Sequence, residues 1–195
     1  MPLVKVIVGS TRPGRFGVQP ANWIMELSKE FPEATFELVD VAEAKLPLLD
    51  EQVPPSMNGG NYATEHGAAW AKTIGEADGF IFVTGEYNHG IPAALKNAID
   101  FVADEWYYKP VAFVSYGAKA GGVRSVEHLR GVVAQLRMYS LHDEVAIRNY
   151  FFQQDEEGTF TANEEQTDDA KRMLKNIAFW TEKLKPIREE LTTKQ

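Results

Sequence analysis

The chain has 195 residues, 44% hydrophobic and 25% charged, enough apolar material for a full core and a length that suits one domain over residues 1–195. Zero cysteines excludes disulfide scaffolds, thiolate metal sites and thiol nucleophiles. The net charge of −8 argues against a nucleic-acid partner, and no apolar run approaches the roughly 20 residues of a membrane span. Met1-Pro2-Leu3-Val4-Lys5 has no basic segment leading into an apolar stretch, so a cytoplasmic protein is expected.

In chain order, β-branched runs at 4–8, 36–41, 79–84, 110–116 and 143–150 predict five strands, four of them nearly continuous apolar stretches suited to burial on both faces. Helical spacing fills the gaps. It runs through Ile24, Leu27 and Phe31, then Ala69, Trp70, Thr73, Ile74 and Ala77, then Ala94, Leu95, Ala98, Ile99 and Val102, then Val123, Val126, Leu129, Val133 and Leu136. Thr161-Ala162-Asn163-Glu164 reads as a capping box opening a last helix at about 162–192, with Pro186 expected to kink or end it. Strands alternating with helices predict a three-layer α/β sandwich, a five-stranded parallel sheet in order 2-1-3-4-5 with helices on both faces. Ligands in that topology bind at the carboxyl ends of strands 1, 3 and 4. The segment 47–61, rich in Pro, Gly and Asn, has neither period and is expected to be a lid or part of a binding site.

The first strand-to-helix loop reads Gly9-Ser10-Thr11-Arg12-Pro13-Gly14-Arg15-Phe16-Gly17. Its glycines permit close backbone approach, and its hydroxyls and guanidinium groups stand just before a helix N-terminus, where free N–H groups favour anions. A dinucleotide fingerprint fails because position 11 is Thr. A nucleoside-triphosphate loop fails because Arg15 and Phe16 stand where Lys and a metal-binding hydroxyl are needed. The readings this loop leaves open are a phosphate monoester held by hydroxyls, backbone amides and arginine, and a solvated turn with no ligand. The loop after the third strand, Gly85-Glu86-Tyr87-Asn88-His89-Gly90, offers a flat aromatic face and hydrogen-bonding groups to a planar heterocycle. His89 has no second ligand at metal spacing. The third loop, Ser115-Tyr116-Gly117-Ala118-Lys119-Ala120-Gly121-Gly122, is small enough to bring backbone amides close to a ligand.

Together, Gly9-Ser10-Thr11-Arg12 with Gly14-Arg15, the run Glu86-Tyr87-Asn88-His89-Gly90-Ile91-Pro92-Ala93-Ala94-Leu95-Lys96-Asn97-Ala98-Ile99-Asp100, and Ser115-Tyr116-Gly117 resemble the NADPH-dependent FMN reductase family over roughly residues 4–150. That resemblance implies a flavodoxin-like fold, bound FMN, and NADPH or NADH as reductant. It further implies a quinone, azo, flavin or similar small-molecule acceptor, ping-pong kinetics and a homodimer or homotetramer. By the same likeness, Ser10, Thr11, Arg12 and Arg15, with the backbone of Gly17, Val18 and Gln19, surround the FMN phosphate. Gly85, Glu86, Tyr87, Asn88 and His89 run along the ring, and Ser115, Tyr116 and Gly117 meet its pyrimidine side. The family usually carries Pro where this chain has Gly85. No residue is expected to act as acid, base or nucleophile, and Glu86 is expected to shape its loop. Trp106-Tyr107-Tyr108 is expected to be an exposed triplet used in packing or a subunit contact. The rival readings are a one-electron flavodoxin and a slow flavin-binding redox sensor; the arginine pair in the first loop favours the reductase.

Overall fold

Alternation along each strand divides the core in two. In the computed structural model, which describes residues 1–193, β1 (Leu3–Val8), β2 (Thr35–Asp40), β3 (Gly79–Gly85), β4 (Pro110–Gly117) and β5 (Tyr139–Arg148) form one parallel sheet in the order β2-β1-β3-β4-β5. Val4, Val6 and Val8 of β1, Ile81 and Val83 of β3, and Ala112, Val114 and Tyr116 of β4 face one side. They pack on Ala21 and Ile24 of α1 (Val18–Ser28) and on Met173, Leu174 and Ile177 of a long C-terminal helix. Ile7, Phe80, Phe82, Val111 and Phe113 face the other side. That second core is closed by three helices beyond the four-residue α2 (Val41–Ala44): Trp70 and Ile74 come from α3 (Glu65–Gly75), Leu95 and Ile99 from α4 (Ala93–Asp100), and Leu129 and Val133 from α5 (Val123–Gln135). The C-terminal helix is α6 (Glu164–Thr193). The expected three-layer sandwich and strand order are observed.

Several local expectations are corrected. The fifth strand begins at Tyr139 rather than at 143 and ends at Arg148, because Asn149 takes a left-handed φ of 50° and Tyr150 enters a 3-10 turn, Tyr150–Phe152. The second strand stops at Asp40, whose carboxylate accepts from the Ala42 amide and opens α2, an element the apolar period did not signal. The last helix is capped two residues later than expected. Asn163 Oδ1 accepts from the Gln166 amide at 2.8 Å while Gln166 Oε1 accepts from the Asn163 amide at 3.0 Å, a reciprocal box in which Gln replaces Glu. Pro186 does not end it; the helix continues through it to Thr193. Trp106 is not exposed but 1% accessible, its indole donating to Ile99 O at 3.0 Å.

The segment between α2 and α3 is pinned rather than free. Asn97 donates to Pro47 O and accepts from the Leu49 amide, and Glu51 accepts from both backbone amides and the hydroxyl at Ala63 and Thr64. Among the described residues, no helix is long and apolar enough to cross a membrane.

Candidate functional site

The first, third and fourth strands run parallel and side by side, so their following loops meet at one edge of the sheet. The first loop places Ser10 fully inside, Arg12 exposed without an ion pair, and Thr11 on the outer wall, in a small cleft shared with α2 and α4. Arg15 turns toward β2 and pairs with Asp40, while its Nε atom is buried without a partner. Asp40 therefore divides its carboxylate between the α2 cap and Arg15.

Gly17 is the N-cap of α1 and supplies no side-chain cap. The Gln19 amide is already taken by Phe16 O at 2.9 Å, and Pro20 has no N–H, so the donors left in the first turn are the Val18 amide and the Gly17 amide, which faces the Tyr116 hydroxyl. The Gln19 side chain faces away, donating to Gly158 O and accepting from the Phe160 amide. In this fold both the Gln19 amide and its side chain are therefore engaged within the protein.

The third-strand loop is a tight turn. Tyr87 and Gly90 exchange backbone hydrogen bonds of 3.1 and 3.0 Å, and both residues between them, Asn88 (φ 51°) and His89 (φ 67°), are left-handed. Such backbone in non-glycine residues costs free energy and clusters at functional sites. Glu86 stands on the wall of the crevice. Its carboxylate accepts from the Arg124 amide at the start of α5 (3.1 Å) and pairs with the Arg124 guanidinium (2.7 Å), which ties the loop to that helix as expected of a shaping residue.

Two tyrosines reach toward the first loop. The Tyr87 hydroxyl is 2.7 Å from Ser10 Oγ, which leaves its backbone free to run along a ring. Tyr116, expected on the pyrimidine side, points back across β3. Its ring lies against Gly85, its cross-strand neighbour, and its hydroxyl reaches Gly17. Burial raises the Tyr116 phenol above its ordinary value, so it stays protonated. Ser115 is also redirected. Its buried hydroxyl donates to Gly121 O at 2.7 Å, so it shapes its own loop rather than facing a ligand. Gly117 needs its missing side chain, since a Cβ there would sit 2.8 Å from the Gly122 amide nitrogen.

A cleft of about 440 Å³ opens at the same edge, between Glu86, Asn88 and His89 on one wall and Gly117, Ala118, Lys119 and Ala120 on the other. Its size and mixed lining suit a small planar ligand. Beside the phosphate-loop end stand Phe16, Tyr116 and Tyr150, with ring centroids 4.5–5.6 Å apart. Tyr150 and Asp40 were not legible as site residues. The one available signal for Asp40 was its position as an acid closing the strand next to the first.

Residues 2–152 match the model of the NADPH-dependent FMN reductase family. The chain belongs to that family. An NAD(P)H-dependent FMN reductase of Schizosaccharomyces pombe is 41% identical over 132 residues, 67% of this chain and 66% of that one, so the match spans just under two thirds of that relative. An NAD(P)H:quinone oxidoreductase of Solanum tuberosum is 34% identical over 172 residues, 84% of this chain and 86% of the relative. Among solved structures, the flavoenzyme NAD(P)H:(acceptor) oxidoreductase FerB from Paracoccus denitrificans superposes with a TM-score of 0.73 at 22% identity, covering 94% of this chain and 99% of that one. That superposition supports the family's fold.

Proposed function

We propose that this protein is an NAD(P)H-dependent FMN oxidoreductase, its chain one flavodoxin-like unit, that passes reducing equivalents to a quinone or a similar small acceptor. The observation carrying the reading is the uncapped start of α1, where open amides, Ser10 and unpaired Arg12 converge in a chain belonging to the FMN reductase family. The residues fit a phosphomonoester. Among the described residues the guanidinium of Arg12 makes no ion pair, and no side chain fills the place of a cap at the start of α1.

Bound FMN would supply hydride acceptance and donation, the chemistry that this chain's side chains lack. Ser10, Arg12 and the amides of Gly17 and Val18 would hold the phosphate, with Arg15 braced behind them by Asp40. The Tyr87–Gly90 turn would fix the ring's position, since its two left-handed residues leave the backbone little freedom. The Gly117–Gly122 loop would bring backbone donors to the ring's polar edge, where negative charge collects on reduction. Glu86, saturated by Arg124, would take no part in proton transfer. One open cleft serves reductant and acceptor in turn, which supports ping-pong kinetics with either NADPH or NADH. A cytoplasmic homodimer or homotetramer is the assembly the family likeness favours, and light scattering tests it. The buried Trp106 removes one expected contributor to that contact.

Absorption spectra of the purified protein test the reading first. Flavin bands, extraction of FMN rather than FAD, bleaching by NAD(P)H and recovery on adding quinone are expected. A protein that binds no FMN, or retains FAD in stoichiometric amount, overturns it.

A further inference from the structure

Resting on the reading of the crevice as an FMN site, we propose that Tyr116 is a phosphate-selecting residue: its hydroxyl donates a hydrogen bond to the phosphomonoester at the start of α1 and so separates FMN from riboflavin. Tyr116 belongs to β4, far in sequence from the phosphate loop, and two glycines open the path its ring takes. A Cβ at Gly85 would lie 3.0 Å from ring carbons, and one at Gly17 would lie 2.9 Å from the hydroxyl oxygen. Phe16 and Tyr150 hold the ring from the sides, with centroids 5.2 and 5.6 Å away. The conformation is therefore imposed, not sampled.

The hydroxyl so placed has no hydrogen-bond partner of good geometry, although the residue is 4% exposed. A buried phenol hydrogen without an acceptor is destabilising, and no acceptor in the described fold satisfies it. Its surroundings explain what would. Ser10, Tyr87 and the Gly17 amide gather next to it, and the Ser10–Tyr87 bond uses one of those two hydroxyl hydrogens and leaves the other available. Ser10 or the Gly17 amide can donate to the phenol oxygen, while the hydrogens of Tyr116 and of one member of the Ser10–Tyr87 pair are left for an oxygen-rich anion. Burial holds the phenol in its protonated form, so it enters as a donor at any physiological pH. Riboflavin, which ends in a hydroxyl, cannot take up these donors in the same way.

The test compares wild type with Tyr116→Phe, each as the full-length chain stripped of flavin and titrated with FMN and with riboflavin by fluorescence quenching. Thermal melts with and without FMN accompany the titrations. In the variant, FMN affinity is expected to fall about tenfold or more, the effect of losing one hydrogen bond to a charged group, with riboflavin affinity unchanged. The melting temperature without flavin should stay level or rise, because the lost atom had no partner, and the increase caused by FMN should shrink. Equal losses for both flavins, or no loss for either, overturn the proposal. A lower melting temperature without flavin also overturns it, marking a hydroxyl that serves the fold through an ordered water. A wild type that binds FMN no better than riboflavin overturns the phosphate site itself, whatever the variant does.

Discussion

Polar side chains are buried at both ends of the sheet, and the two ends treat them differently. At the amino end each buried charge is met by protein. Lys5 donates to Thr73 O at 2.7 Å and to Glu76 at 2.9 Å, and Lys109 donates to the last carbonyls of α3, Ile74 O and Gly75 O. Asp78 accepts from the Leu3 amide, Lys185 and Arg188. At the carboxyl end the Tyr116 hydroxyl and Arg15 Nε are buried without partners, and Arg12 makes no ion pair. A closed network is a fold element, whereas buried donors left open mark a place reserved for a ligand.

The largest expected effect breaks the closed end. Asp78→Ala removes the buried carboxylate that accepts from the Leu3 amide, Lys185 and Arg188 and should cost about 3 kcal/mol in denaturant unfolding, with FMN affinity of the folded protein unchanged. Burial raises the Asp78 carboxyl, but Arg188, the Leu3 amide and Lys185 more than offset it, so the net shift is below the ordinary 3.8. Its contribution is present at neutral pH and disappears as pH falls through that lowered value. Loss of FMN binding in this variant would erase the distinction between the two ends.

Arg12→Ala should do the reverse. FMN binding should weaken by roughly 1.5–3 kcal/mol, measured by titration, with stability of the flavin-free protein unaltered. A protein that unfolds more readily but binds as before would place Arg12 among the structural charges. Gly85→Ala sharpens the contrast, because it forces the Tyr116 ring to move in a packed slot. Melting should show a loss of about 1–2 kcal/mol and titration a weaker FMN complex, with Tyr116→Ser in the same chain restoring part of the stability.

The last expected effect is a pH slope. Burial lowers the Lys109 amine from 10.5 to about 7. Between those values the unfolded chain holds a proton that the folded protein has released, so stability should rise with pH across that window and be flat below it. Denaturation at pH 7 and pH 9 should show the rise in wild type and not in Lys109→Met.

Much of the fold was legible. Apolar runs and their two periods marked all five strands and the five longer helices, since both signals are local consequences of which face is buried. Missed features depended on single contacts: the Asp40 cap that makes α2, the left-handed Asn149 that ends β5, and the Asn163–Gln166 box two residues past the expected one. Ser10, Arg12, Gly17 and the 85–89 turn stood out as a candidate site because glycine, hydroxyl and guanidinium groups crowd two short loops.

Sequence alone determined that three loops would share one edge of a parallel sheet, and which residue types they would bring there. Only the tertiary structure decided where each side chain points. Glu86 pairs with Arg124 on the cleft wall, Ser115 turns into its own loop, Asp40 braces Arg15 from a neighbouring strand, and Tyr116 crosses β3 to reach the start of α1. The physical reason is range. Periodicity and turn chemistry act over a few neighbours along the chain, but the direction of a buried polar group is set by what packs on it, here a gap between Gly17 and Gly85 that are 68 positions apart in the chain.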